Sequence, residues 1–140
     1  LAALAYELGI ADRVRFTGRL DRDQMAALYR DADLMLNASR VDNMPNAILE
    51  ALASGLPVVT TDAGGIPFIV RQRETAILVP VDDPAAMAGA ALDVLDEPAL
   101  RSALAAAGVH EVQRYRWCAV RAELLSAYAD ALRMPKVQAT

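Results

Sequence analysis

A chain of 140 residues has room for one domain, and with 55% hydrophobic residues it can build a sizeable core without disulfides or metals. Its 14 basic and 18 acidic side chains give a formal charge of −4, which excludes the basic face of a general nucleic-acid binder but not a small anion site made of backbone amides at a helix end. One cysteine, Cys118, and one histidine, His110, exclude an internal disulfide and a Cys/His metal site, and make a reducing, cytosolic setting the default.

The apolar start, residues 1–4, is too short for a membrane span and lacks a basic leader, and no later run reaches about 18 apolar residues. The chain begins at Leu1 rather than Met and is expected to be a piece of a longer protein. A solvated turn at residues 12–13 leads into a first predicted strand, 14–17. Asp21 with Gln24 three residues on resembles a capping box, and Met25, Leu28 and Tyr29 follow at helical spacing. Residues 34–37 read as a second strand. A helix is predicted over 45–54, with Pro45 tolerated in its first turn and Gly55 and Pro57 as the stop signal. Strands are predicted over 57–60 and 76–79. Asp82 and Asp83 read as caps of a helix that opens at Pro84 and runs to about residue 95. A helix over 98–112 is interrupted by Gly108, and a last one over 119–132 carries Val120, Leu124, Leu125, Tyr128 and Leu132 on one stripe.

The strand-like runs recur roughly every 20 residues, and the last three lack polar alternation, as strands covered on both faces do. The expected fold is therefore α/β, a doubly wound Rossmann-like parallel sheet with flanking helices. Ligands in such sheets bind outside the carboxyl ends of the strands, here residues 17–19, 37–39 and 61–65.

The chemistry concentrates in residues 37–70. A strand ends at Asn37, a polar loop follows, and a helix opens near Asn43 to Pro45 with its free amides toward the crevice, an arrangement suited to a pyrophosphate. Asp42 stands at the mouth of this helix and Glu50 eight residues on, roughly 12 Å along a helix axis. That reach resembles the span from a sugar across a diphosphate to a ribose, and a carboxylate can accept hydrogen bonds from sugar hydroxyls at either end. Each carboxylate taken alone reads as an N-cap or a solvated helix residue.

Asp42, seven residues, Glu50, then Ala51, Gly55, Pro57-Val58-Val59 and Gly64-Gly65 resemble the signature of family 4 glycosyltransferases, retaining enzymes of GT-B architecture. The Asp-Asn-Met-Pro variant at Asp42 to Pro45 is similar to a recognised subgroup, and similarity extends over nearly the whole chain, from Arg13–Gly18 to Trp117–Tyr128. The resemblance implies the donor-binding half of a two-domain sugar transferase, with a nucleotide-diphospho-sugar as substrate, no metal and no other cofactor. Glu50 would bind the nucleotide ribose, and Asp42 would act at the transferred sugar, as the catalytic candidate. Asn43, Met44, Pro45 and Asn46 would face sugar and phosphates, and Gly18 and Arg19 would lie beside the base. Asp in place of the family's Glu at position 42 shortens the reach by roughly 1.5 Å, and Phe68 stands where many members have Glu.

The resemblance also implies that two strands, with the Arg and Lys that clamp the diphosphate, and an N-terminal acceptor domain are absent from the chain. The fragment alone would then be inactive, and its parent a cytoplasmic glycosyltransferase that could attach to the membrane periphery through the absent domain. The missing strands belong between those at 14–17 and 34–37. The exposed sheet edges are expected to re-pair within the chain or to form a homo-oligomer or strand-swapped dimer. A nucleotide-sugar epimerase of similar fold and a non-enzymatic, flavodoxin-like receiver are the alternatives. His110 is expected on the surface, Cys118 in the core rather than as a nucleophile, Trp117 in packing, and Met25 and Met35 as core fillers.

Overall fold

The computed structural model describes residues 1–133. Its elements are helix α1 (Ala2–Glu7), helix α2 (Arg22–Asp31), strand β1 (Met35–Asn37), helix α3 (Asn46–Ala53), strands β2 (Val58–Thr61) and β3 (Ile77–Val79), and helices α4 (Pro84–Asp96), α5 (Pro98–Glu111) and α6 (Trp117–Arg133). The three strands are parallel in the order β1-β2-β3, with Leu36 opposite Val59 and Thr60 opposite Leu78. The chain thus has the Rossmann-like α/β architecture expected of it.

Local signals fix the helix ends. The amide of Gln24 donates to Asp21 Oδ1 at 2.9 Å and the amide of Asp21 to Gln24 Oε1 at 3.0 Å, a reciprocal capping box that starts α2. Asp83 caps α4 by accepting from the Ala86 amide at 2.8 Å. Asp82 does not cap; it adopts φ 60° and pairs with Arg40 instead. Gly55 follows α3 at φ 72°, a left-handed position a side chain would strain, and so turns the chain into β2.

β2 is the centre of the core and is buried along its length. Its successive residues point to opposite faces. Val58 joins Ile48, Leu52, Ile66 and Val112 on one side, and Val59 joins Ile77, Val94 and Leu104 on the other. Burying side chains such as Ile48 and Leu52 stabilises the fold by about 1.5–3 kcal/mol each. Two-sided cover does not extend to β1, where Leu36 is 53% exposed, because this strand forms the outer edge of the sheet.

Several expectations are corrected. Residues 14–17 form no strand: no strand among the described residues lies beside them, and Phe16 is 58% exposed. The sheet is therefore not rebuilt by re-pairing within the described chain. Gly108 does not interrupt α5; it lets the helix close onto Leu52, where an added Cβ would sit 2.6 Å from Leu52 Cδ2. Helix α6 forms, but its stripe does not reach the core. Leu124, Leu125, Tyr128 and Leu132 are exposed, as are Trp117, at 66%, and Cys118, because no described element covers that face. His110 lies on the surface as expected. Met35 packs, half-buried, against the core, and Met25 is half-buried on α2.

Candidate functional site

The loop between β1 and α3 is tied to the sheet at three points. Thr61 donates its hydroxyl to the Ser39 carbonyl at 2.5 Å, joining the loop to the end of β2. Arg40 Nε reaches Asp82 Oδ1, beyond β3, at 2.6 Å. The Gly65 amide donates to the Asp42 carbonyl at 2.8 Å. Only glycine permits the last approach: a Cβ on Gly64 would stand 2.1 Å from the Asp42 oxygen, and one on Gly65 1.8 Å from the Asn43 oxygen. The Gly-Gly turn after β2 therefore sets the position of the loop that opens α3.

Pro45 is the N-cap of α3, and no side chain caps this end. The first amides of a helix lack intrahelical partners and carry a partial positive charge of about half an electron unit. Asn46 is exposed here and Pro45 is buried beneath it. Asp42 is not the cap: it takes part in the turn through its carbonyl, leaving its half-buried carboxylate available at the mouth.

Asp42, Asn43 and Met44 line a depression of about 680 Å³ together with Gly64, Gly65, Phe68, Arg114 and Tyr115. Glu50 does not line it. Glu50 stands on the outer face of α3 between a depression of about 380 Å³ shared with Arg22, Met25 and Tyr29 of α2 and one of about 370 Å³ shared with Val112, Tyr115 and Arg116. Tyr115 borders both the mouth and the second of these. The two carboxylates thus lie on neighbouring depressions rather than in one cavity. Gly18 and Arg19 sit on an exposed loop before α2 and line none of the three, because the segment leading to them is not seated in the sheet.

Glu50 is exposed but not simply solvated. The Tyr29 hydroxyl lies 3.3 Å from Glu50 Oε2 and 3.5 Å from the Ala47 carbonyl, so α2 holds one carboxylate oxygen and leaves the other unengaged. Burial pushes the Tyr29 phenol above its usual value, and the charge of Glu50 and the hydrogen bond to it push the same way.

A charged cluster supports the far wall. Glu111, only 7% exposed, accepts from Arg71 Nη1 at 2.7 Å and from Arg114 Nη1 at 2.9 Å. Burial alone would raise its pKa, but the hydrogen bonds and charges of the two arginines outweigh this and hold the carboxyl below its ordinary 4.5. A depressed folded value means that the cluster's stabilisation is full above about pH 4.5 and is lost as pH falls through the folded value. Urea midpoints followed down through the carboxylate range should show this loss in the wild type and a shallower one in Glu111→Gln.

Tyr29, Arg114 and Tyr115 were not singled out for the site by sequence. Each reaches its place from another element, and residues so far apart in the chain give no local signal of proximity.

The profile of the family described as glycosyl transferases group 1 matches residues 1–97. The chain belongs to this family. It is 37% identical over 132 residues to a D-inositol 3-phosphate glycosyltransferase of Thermobispora bispora, a match covering 94% of the chain and 31% of the relative. Among solved structures, sucrose-phosphate synthase from Thermosynechococcus elongatus is similar with a TM-score of 0.85 and 31% identity, over 93% of the chain and 33% of the synthase. Anabaena HepE, solved in complex with UDP, shares the fold with a TM-score of 0.83 at 22% identity, over 91% of the chain and 35% of HepE. The chain thus spans about a third of the length of these proteins. The matched family is described by glycosyl transfer, not as one of epimerases or of receiver-like modules. No helix among the described residues is long and apolar enough to cross a membrane.

Proposed function

We propose that this chain is the donor-binding part of a retaining glycosyltransferase of the Asp-Asn-Met-Pro type. In this reading the opening of α3 takes the diphosphate of a nucleotide-diphospho-sugar, Asp42 and the backbone of Asn43 to Asn46 meet the sugar and phosphates, and Glu50 accepts hydrogen bonds from the ribose hydroxyls. Gly18 and Arg19 lie beside the base once the preceding segment is seated in the sheet of the whole protein. The observation that carries it is the loop of residues 38–45, tied at three points and ending in an uncapped helix.

Chemically, the role is electrostatic. Departure of the diphosphate builds negative charge, and amides already aimed at it stabilise that charge without reorganising. Tyr29, by occupying one oxygen of Glu50, orients the other toward the pentose. The donor diphosphate is held without a metal ion, and the acid or base that acts on the acceptor lies outside this chain.

In the whole protein, Glu50→Ala is expected to weaken binding of the nucleotide donor by about 1–3 kcal/mol, the range for lost hydrogen bonds to a charged group. Calorimetric titration with the donor checks this, and an unchanged affinity removes Glu50 from the site.

A further inference from the structure

The depression beside the loop that leads into α3 has one cationic side chain among the described residues that line it, Arg114, and the function proposed above gives it no part. It comes from the turn after α5, not from the loop or the glycine pair. Its side chain is 63% exposed, yet it is not free to wander: Nη1 is held by the buried carboxylate of Glu111 at 2.9 Å, and the guanidinium lies over the Tyr115 ring, 5.5 Å from its centroid. Glu111 is itself fixed from the other side by Arg71, whose second carboxylate partner, Glu74, lies away from the depression. A guanidinium has five N–H donors in a planar fork, and the hydrogen bond to Glu111 engages one nitrogen. An arginine ordered in advance loses less rotamer entropy when it meets an anion, and the remaining donors of the fork match phosphate oxygens.

Resting on the donor-site reading, we infer that Arg114 is a phosphate-binding side chain of this depression, presented to the ligand by Glu111. Asp42, Asn43 and Met44 of the loop line the depression on one side, and Arg114 lines it from the turn after α5. The phosphate oxygen it meets belongs either to the donor's diphosphate or to a phosphate carried by the acceptor.

The test uses the whole protein and whichever of UDP, GDP and ADP the wild type binds best. Arg114→Gln is expected to lower affinity for that nucleoside diphosphate about 10-fold or more, the equivalent of one charge-assisted hydrogen bond, and to leave affinity for the matching nucleoside unchanged. Arg114→Lys, which keeps the charge but not the fork, should recover part of the loss. If diphosphate affinity holds and the acceptor KM rises by a similar factor, Arg114 still binds phosphate and the acceptor is its source. Equal weakening of nucleoside and diphosphate means a merely structural role and overturns the inference. So does no change in either ligand when the acceptor KM is also unchanged. If Glu50→Ala weakens donor binding in the same assay, the donor-site reading survives that failure; if Glu50→Ala also has no effect, both fall together. Thermal melts of Arg114→Gln and Arg114→Lys confirm that folded protein is compared throughout.

Discussion

Gly65→Ala is expected to lower folding stability by about 3 kcal/mol or more and, on the donor-site proposal, to abolish donor binding with it. The added methyl would lie 1.8 Å from the Asn43 carbonyl oxygen, well inside any van der Waals contact. Overpacking in general costs about 1–3 kcal/mol because side chains can rotate away. Here the obstructing atom is backbone, and that backbone is the loop that opens α3. Relief would require the loop to move, breaking the 2.8 Å bond from the Gly65 amide to Asp42 and displacing the mouth. Gly64→Ala adds a second penalty, because φ at that position is 53° and the nearest atom is the Asp42 oxygen at 2.1 Å. A matched control is Gly89→Ala in α4, where nothing lies within 4 Å. Helix propensity there favours alanine by up to about 1 kcal/mol. Urea midpoints should therefore move in opposite directions for the two substitutions. A Gly65→Ala protein with the wild-type midpoint would mean that the turn and the loop are not in contact.

How far the sequence discloses this site follows from how local each interaction is. The capping box of Asp21 and Gln24 closes within one helical turn, so the pattern of residue types is enough to find it. The strand-like runs of β1, β2 and β3 and the glycine stop after α3 are equally local in their signals. Family resemblance points to Asp42, Glu50 and the Gly-Gly turn as candidates. What stays hidden is whatever depends on a distant partner. Residues 14–17 have the composition of a strand, but a strand exists only beside another, and the described sheet ends at β1. The stripe on α6 has the period of a buried face, but periodicity cannot name what covers it, and Leu125 and Tyr128 stand exposed. Gly108 illustrates the same limit in reverse. In a helix it reads as a weak point, whereas its meaning lies in Leu52, more than fifty residues earlier in the chain.

That pair yields the second large effect. Leu52→Ala is expected to destabilise the protein by about 2–5 kcal/mol, because Leu52 is fully buried and the void it leaves lies in the cluster that seats α3. Gly108→Ala should cost much less. Its new Cβ would meet Leu52 Cδ2 at 2.6 Å, but that methyl ends a flexible side chain, and the helix gains up to about 1 kcal/mol from losing an interior glycine. Combining the two should then cost less than their sum, since the methyl added at residue 108 enters space vacated at residue 52 and the clash has no partner left. Residues in direct contact show coupling of about 0.5–3 kcal/mol in such cycles. Urea unfolding of the wild type, both single variants and the double variant measures it. Strict additivity would mean that α3 and α5 do not meet at this point. α3 would then be seated by the loop and by Ile48 and Ala51 in the core, without α5 at this point, and a shift of α3 on the sheet would carry Glu50 away from Tyr29.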